Sequence, residues 1–217
     1  MTPLIAPSLV IFLHGVNASG ADLAPLGRLW RKTLPDTFFA APDAPFSSGF
    51  GRQWFSLDGV TPENRPIRVV AARAAFDRLL SEIIAAQGLG DHPERVALVG
   101  FSQGSIMALD ALASGRWRFG AVVAFSGRLA TPPPLTPSRA TPALLIHGDD
   151  DSVIPESESR NAAALLQQSG VETRLHVLPG VDHCISPDGA RLALAFLSGR
   201  GPSPSPMIWP DDLKGLS

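Results

Sequence analysis

The sequence predicts an α/β fold built on a mostly parallel sheet, and two observations carry this prediction. Short apolar runs alternate with longer helical stretches along the 217 residues, which is the pattern of successive strand–helix–strand units. The runs are continuously apolar, as expected of strands that are covered on both faces. We therefore expect a central sheet of about six to seven strands with helices on both faces. A chain of this length leaves little room for a large lid domain.

The individual elements follow from these runs. Residues 9–13 are too short for the apolar region and cleavage site of a signal peptide, so a buried strand is the better interpretation. Predicted strands are residues 9–13, 37–41, 95–100, 121–125, 143–147 and 173–178. Predicted helices are residues 21–32, 67–87, 103–113, 156–169 and 189–197. In the second helix, Val69, Phe76, Leu80 and Ile83 fall on one face, as an amphipathic helix requires.

Two segments depart from this alternation. Residues 42–66 read as a long loop, and their density of aromatic residues argues against disorder. Residues 199–217 form a Pro/Ser-rich tail that cannot continue a helix at its start. We therefore divide the chain into one α/β domain, residues 1–198, and a C-terminal tail, residues 199–217.

The composition excludes several classes of function. With a net charge of −2 and scattered Lys and Arg residues, the chain offers no electrostatic basis for binding nucleic acid. Its single cysteine, Cys184, excludes an internal disulfide and any Cys-rich metal site. No stretch approaches the roughly 20 apolar residues that span a bilayer. We expect a soluble cytoplasmic protein with no integral membrane segment, no metal and no cofactor.

The most informative motif is Gly100-Phe101-Ser102-Gln103-Gly104. It lies between a predicted buried strand and a predicted helix, which is the setting of a nucleophile elbow. Glycines on either side of the serine remove β-carbons that would clash in so sharp a turn. Ser102 is therefore the candidate nucleophile, although the five-residue pattern alone also arises by chance.

A serine nucleophile needs a base, and the base needs a group that fixes its tautomer. His183 follows the last predicted strand in a glycine-bearing loop, at the edge of the sheet where functional loops gather. Asp149, Asp150 and Asp151 lie between Ser102 and His183 in sequence, and residue types alone do not separate them. A metal site is the alternative for these aspartates, but the spacing of a calcium-binding loop is absent.

Five motifs in order give the sequence a specific resemblance. They are Phe12-Leu13-His14-Gly15, Ala41-Pro42-Asp43-Ala44-Pro45 with Gln53-Trp54-Phe55, the Ser102 motif, His147-Gly148-Asp149-Asp150-Asp151 with Val153-Ile154-Pro155, and Gly180-Val181-Asp182-His183. Together they resemble the phospholipase/carboxylesterase family of α/β hydrolases, which includes acyl-protein thioesterases and bacterial carboxylesterases. The resemblance covers residues 9–198 and implies the α/β-hydrolase fold.

The resemblance also assigns roles. It implies a catalytic triad of Ser102, Asp151 and His183, because the family's acid stands two residues before the Val-Ile-Pro sequence. It implies an oxyanion hole formed by the backbone N–H groups of Val16 and Gln103. The chain departs from the family at Ser56, where an aspartate is usual, and its short N-terminal portion predicts a sheet with fewer strands.

The expected function is that of a serine carboxylesterase acting on short- to medium-chain acyl esters through an acyl-enzyme. Acyl-protein thioesterase or lysophospholipase activity at the same site is the alternative, and a non-catalytic binding protein or a peptidase is disfavoured. Five residues are predicted to form an apolar substrate wall: Phe46, Phe50, Trp54, Phe55 and Leu57. The opposing interpretation is that these residues close the core. Cys184 is interpreted as a packing residue, a small-molecule ester is the expected partner, and a homodimer is left open.

Overall fold

A six-stranded parallel sheet forms the centre of the computed structural model, which describes residues 6–199. Its strands are β1 (Leu9–Leu13), β2 (Phe38–Ala40), β5 (Val96–Phe101), β6 (Ala121–Phe125), β7 (Ala143–Gly148) and β8 (Thr173–Leu178), in the order β2-β1-β5-β6-β7-β8. A separate two-stranded sheet pairs β3 (Phe46–Ser48) with β4 (Gly51–Gln53). The predicted parallel sheet of six to seven strands is thereby confirmed.

Helices cover both faces of the sheet, as predicted. They are α1 (Gly20–Trp30), α2 (Arg65–Ala86), α3 (Gln103–Ala113), α4 (Ser157–Gln168) and α5 (Pro187–Leu197). The apolar side chains of α2, α3 and α4 form one core, and those of α1 and α5 form the other. The boundary residues differ from the predicted ones by at most two positions, a normal uncertainty for helix ends.

Strand β1 shows why these strands are continuously apolar. Leu9, Ile11 and Leu13 point into the core beneath α2, α3 and α4, whereas Val10 and Phe12 point into the core beneath α1 and α5. Successive side chains leave opposite faces of a strand, so a strand covered twice needs apolar residues at every position.

The apolar face of α2 lies where the amphipathic pattern predicts it. Val69, Phe76 and Leu80 are buried, and Ile83 is partly buried and packs against the same core. The following residue, Ile84, is also buried there, because a 3.6-residue period places both positions close to Leu80 on the helix surface.

The segment 42–66 is only partly a loop. Strands β3 and β4 form an antiparallel hairpin in which Phe46 pairs with Gln53 and Ser48 pairs with Gly51. Gly49, at φ 41°, begins the two-residue connection, and a glycine at this position is typical of tight hairpin loops. The strands have three residues each, which is too short for an alternating pattern to reveal them.

Helix α3 is fixed to α2 by a buried carboxylate. Asp110 is fully buried and accepts hydrogen bonds from Arg73, Arg116 and Thr131. Burial works to raise the pKa of Asp110, but the bonds from these three residues hold it below its ordinary value. Because α3 begins directly after Ser102, this network fixes the helix that follows the candidate nucleophile.

The ends of the chain lie mostly outside the described residues. Of the predicted tail, residues 199–217, only Gly199 lies within the described residues. The division of the chain into one domain and a tail therefore stays a prediction. Within residues 6–199, none of the helices combines the length and the apolarity needed to cross a membrane.

Candidate active site

Ser102 occupies a strained turn between β5 and α3. Its backbone has φ 51° and ψ −115°, a conformation that costs a non-glycine residue about 1–3 kcal/mol. The surrounding structure holds it there: the Ser102 N–H donates to the carbonyl of Phe125 at 3.0 Å. A Cβ on Gly100 would lie 2.5 Å from the backbone nitrogen of Ser105. Only glycine therefore allows β5 and α3 to approach this closely.

His183 reaches Ser102 from the loop that follows β8. Its Nε2 lies 2.9 Å from Ser102 Oγ, and its ring packs against Phe101 with the centroids 5.0 Å apart. The same loop is held by Asp182, whose carboxylate accepts hydrogen bonds from the His183 N–H and from Ser152. The side chain that contacts the serine is thus tied to the loop after β7.

Asp151 completes the chain of contacts. Its Oδ2 lies 2.7 Å from His183 Nδ1, and its Oδ1 accepts hydrogen bonds from the backbone N–H groups of Val153 and Ile154. Burial works to raise the pKa of Asp151, but the bonds from Ile154, His183 and Val153 hold it below its ordinary value. An ionised carboxylate therefore faces the imidazole.

The three consecutive aspartates have different surroundings. Asp149 accepts a hydrogen bond from the Gly180 N–H at 2.7 Å and so joins the loops after β7 and β8. Asp150 is exposed, and its own side chain has no hydrogen bond within residues 6–199. Of these three consecutive aspartates, only Asp151 contacts His183. Among the described residues, no cluster of three His, Cys, Asp or Glu side chains could hold a metal ion.

His147, at the end of β7, contacts the same oxygen of the Asp151 carboxylate that His183 contacts. Its Nε2 lies 3.1 Å from Asp151 Oδ2 and 2.8 Å from the carbonyl oxygen of Ile154. Its Nδ1 lies 2.6 Å from Ser159 Oγ. The sequence places His147 at the end of a predicted strand and in the same motif as Asp151, but their contact depends on a turn that sequence patterns do not describe.

The loop after β1 packs against the first turn of α3. A Cβ on Gly104 would lie 2.0 Å from the carbonyl oxygen of Leu13, and a Cβ on Gly15 would lie 3.5 Å from Ser102 Cβ. Val16 directly follows Gly15, and Gln103 is the first residue of α3. The N–H of a first helical residue has no partner within its helix. Val16 therefore lies in the loop that packs against the elbow and Gln103 directly follows Ser102, and the oxyanion hole itself stays a prediction.

His14 fixes this loop in the interior. Its Nδ1 donates to the carbonyl of Gly15 at 2.6 Å, and its Nε2 accepts from the Ala44 N–H at 2.9 Å. These partners require the neutral ring. Burial lowers the pKa of His14, against the opposing effects of the Gly15 hydrogen bond and the Asp43 charge.

The side chain of Gln103 links the elbow to the segment after the hairpin. Its Oε1 accepts from the Trp54 N–H, and its Nε2 donates to the Phe55 carbonyl, both at 2.7 Å. The Trp54 indole donates to the carbonyl of His14 at 2.9 Å. The sequence predicts only a backbone role for Gln103, and the Gln53-Trp54-Phe55 motif is the one sequence feature that points to the partners of its side chain.

The five predicted wall residues lie in two environments. Trp54 and Phe55 are buried, and the Trp54 ring packs against His14 and Phe76. Phe46 and Leu57 are exposed by 43% and 38%, and Phe50 is completely exposed at the turn of the hairpin. The placement of Trp54 and Phe55 favours the interpretation that they close the core.

Cys184 is partly buried beside His183. Burial raises the pKa of its thiol, and the charges of Asp182 and Asp151 raise it further. A thiol whose pKa is raised is a poor nucleophile, in keeping with a packing residue.

A serine at a strained elbow, in contact with a histidine that is oriented by a carboxylate, is the arrangement of hydrolases with a serine nucleophile.

Comparison with known proteins agrees with this class. The family model described as phospholipase/carboxylesterase matches residues 5–199. Esterase YpfH of Escherichia coli K12 is 32% identical over 194 residues, covering 88% of this chain and 82% of the relative. Acyl-protein thioesterase 1 of Gibberella zeae is 26% identical over 225 residues, covering 91% and 94%.

Solved structures agree with these relatives. The crystal structure of esterase PE8 superposes with a TM-score of 0.78 at 39% identity, covering 89% of this chain and 92% of that one. The Bacillus cereus carboxylesterase, at 14% identity and a TM-score of 0.74, shares the fold. The chain belongs to the phospholipase/carboxylesterase family and is a serine hydrolase.

Proposed function

We propose that this protein is a carboxylesterase that hydrolyses short- to medium-chain acyl esters through a catalytic triad of Ser102, His183 and Asp151. The observation that carries the proposal is the unbroken chain of contacts, 2.9 Å from Ser102 Oγ to His183 Nε2 and 2.7 Å from His183 Nδ1 to Asp151 Oδ2. In this orientation His183 Nδ1 donates to the carboxylate, which leaves Nε2 free to accept the serine proton.

The first half of the reaction is acylation. His183 takes the proton of Ser102 as the serine oxygen attacks the ester carbonyl, and the Asp151 carboxylate stabilises the imidazolium that forms. The backbone N–H groups of Val16 and Gln103 bind the developing oxyanion. Their role is supported by the close approach of Gly15 to Ser102 and of Gly104 to the backbone of Leu13 and His14. Removing one such donor typically costs about 10²–10³ in rate.

The second half releases the acid. The imidazolium of His183 gives its proton to the leaving alcohol, and His183 then activates a water that attacks the acyl-enzyme. A thiol leaving group would follow the same steps. For this reason acyl-protein thioesterase activity stays the second candidate, favoured by a relative of that name at 26% identity. Lysophospholipase activity is the further alternative.

We place the acyl group near the exposed side chains of the hairpin and the segment after it, Phe46, Phe50 and Leu57. Apolar side chains that remain in solvent next to a reaction centre are suited to an acyl chain. Trp54 and Phe55 contribute by supporting the Gln103 side chain from the core. A cytoplasmic location and a homodimer stay predictions.

The test is Ser102→Ala measured on p-nitrophenyl butyrate. Removing the nucleophile should lower kcat by about 10⁴–10⁶, because only the oxyanion hole and substrate binding remain. Ser102→Ala combined with His183→Ala should cost little more than either change alone, since the triad acts as a unit. Full turnover by Ser102→Ala would overturn the assignment.

A fluorophosphonate probe provides the control. It should label the wild-type protein and leave Ser102→Ala unlabelled, and an unlabelled wild type would favour a binding protein without catalysis. Substrate class is then resolved with p-nitrophenyl esters of increasing acyl length, run beside acyl-CoA and an S-acylated peptide. A higher kcat/KM on the peptide than on any ester would replace carboxylesterase by thioesterase.

A further inference from the structure

One buried titratable side chain at the site has no part in the proposed mechanism. His147 is 1% exposed and lies at the end of β7, four residues before Asp151. It touches three groups: Asp151 Oδ2 at 3.1 Å, the Ile154 carbonyl at 2.8 Å and Ser159 Oγ at 2.6 Å. Placing a polar ring in the interior is costly unless its hydrogen bonds are satisfied, and both of its nitrogens have partners.

The partners determine where the ring carries a hydrogen. Nε2 faces a carbonyl oxygen and a carboxylate oxygen, and both of these can only accept. Nε2 therefore carries a hydrogen and donates it to the Ile154 carbonyl, with Asp151 Oδ2 3.1 Å away. Nδ1 faces a hydroxyl, which can donate or accept. Ser159 also lies 3.2 Å from the carbonyl of Gly127, so the ring is anchored to α4 and to the loop after β6.

These contacts close a small ring of bonds around the carboxylate. Asp151 Oδ1 accepts from the N–H groups of Val153 and Ile154 at 2.9 and 2.8 Å, and the carbonyl of Ile154 accepts from His147. The carboxylate cannot turn about its own axis without breaking the bonds at Oδ1 and the contact between Oδ2 and His147 Nε2. Oδ2 is thereby kept in the direction of His183 Nδ1.

We propose that His147 is a positioning residue for the triad, one that holds the turn 151–154 and keeps Asp151 Oδ2 aimed at His183. The inference rests on the proposed esterase function. His147 touches neither substrate nor Ser102 in this scheme and acts only through Asp151. If Asp151 Oδ2 no longer points at His183, substrate binding stays intact and kcat falls, because displacing a catalytic group by about 1 Å can lower the rate about 10²-fold.

The test compares His147→Gln with His147→Asn. The amide nitrogen of Gln reaches the position of Nε2 and can still donate to Ile154. The amide of Asn reaches only the position of Nδ1 and keeps the contact with Ser159. We expect His147→Asn to lower kcat by about 10–100-fold with KM within twofold of wild type, and His147→Gln to recover most of that loss. Each kcat is taken per active site titrated with the fluorophosphonate, so unfolded protein does not contribute.

A purely structural role is separated by Thr141→Val. Thr141 precedes the same strand, and its buried hydroxyl donates to the Phe119 carbonyl at 2.6 Å without contacting the triad. This variant should lose stability with unchanged kcat. The proton NMR resonance of His183 Nδ1–H, shifted downfield by its bond to Asp151, should weaken or move in His147→Asn and return in His147→Gln.

Three outcomes overturn the inference: wild-type kcat in His147→Asn, an equal loss in His147→Asn and His147→Gln, or an equal loss in Thr141→Val. If His147→Asn fails to fold, Ser159→Ala takes its place, since it frees the ring at Nδ1 with a smaller change. Unchanged kcat in Ser159→Ala then also counts against the inference. A wild-type protein that the fluorophosphonate does not label would instead overturn the proposed function.

Discussion

The carboxyl edge of the parallel sheet and the hairpin β3–β4 differ in how tightly their side chains are held. The carboxyl edge of the sheet carries Ser102, Asp151 and His183. The side chains of Asp151 and His183 each contact at least two neighbours, and Ser102 is fixed by His183 at its Oγ and by the Phe125 carbonyl at its backbone N–H. The hairpin β3–β4 pairs through Arg52 with Asn17 and Ala18 in the loop after β1, and it leaves Phe50 completely exposed at its turn. The first region has almost no freedom to change, whereas the second can change without disturbing the core.

The difference indicates a division of labour. Chemistry requires fixed geometry, which the two cores and the loops after β5, β7 and β8 supply. In the proposed function, selection of the acyl group needs a surface that can vary, and the hairpin outside the main sheet is the candidate for that surface. Gln103 links the two regions, because its side chain holds the backbone of Trp54 and Phe55 and its backbone N–H is a proposed oxyanion donor.

The largest structural effect should come from closing the narrow gap between the elbow and β1. In Gly104→Ala the new Cβ would meet the Leu13 carbonyl oxygen at 2.0 Å. Backbone has to move, so we expect a loss of about 3 kcal/mol in the free energy of unfolding and a fall of at least about tenfold in kcat/KM. Urea unfolding and turnover of p-nitrophenyl butyrate measure the two quantities.

The matched control is Gly90→Ala. A Cβ there has no neighbour within 4 Å, and Gly90 is not among the glycines of positive φ. Its effect should stay within about 0.5 kcal/mol, as for most surface changes. Equal losses in the two variants would show that the tight contact at Gly104 does not constrain the site.

The same contrast separates what the sequence predicts from what it does not. Continuous apolar runs predict the six parallel strands, because burial on two faces leaves few alternatives. The hairpin is not predicted, because strands of three residues are too short to show an alternating apolar pattern. Ser102 and His183 stand out by their loops, whereas Asp151 needed the family resemblance. The contact between His147 and Asp151 depends on turn geometry that no local pattern describes.

A smaller effect should appear as a dependence of stability on pH. His14 is held neutral by its bonds to Gly15 and Ala44, and burial lowers its pKa. Below its ordinary value of 6.5 the unfolded chain binds a proton that the folded protein excludes. The contribution is therefore complete above that pH and is lost as the pH falls from there, by at most about 1.4 kcal/mol per pH unit.

The variant His14→Gln isolates this contribution. The Gln Oε1 can accept from the Ala44 N–H as Nε2 does, but it does not titrate. Plotted against pH, the free energy of unfolding should fall less steeply in His14→Gln than in wild type between neutral and mildly acidic pH. Parallel curves for the two proteins would mean that His14 remains able to protonate in the folded state.

The smallest effect on stability, and the most selective effect on activity, should come from the hairpin. Phe50→Ser removes a side chain that packs on nothing within residues 6–199, so the free energy of unfolding should change by no more than about 0.5 kcal/mol. If Phe50 contacts the acyl chain, kcat/KM on p-nitrophenyl octanoate should fall by about three- to tenfold, since each buried CH₂ contributes about 0.8 kcal/mol. The acetate ester is too short to reach and should be unaffected.

Phe38→Ser is the control, because Phe38 is also an exposed phenylalanine, 60% accessible. It begins β2 beside Leu9, at the amino edge of the parallel sheet, whereas Ser102 follows the carboxyl end of β5. Losing a solvent-exposed ring at that edge should change neither ester. A fall in octanoate turnover shared by both variants would assign the effect to general surface hydrophobicity. A fall confined to Phe50→Ser would show that the hairpin selects the acyl group while the sheet edge performs the chemistry.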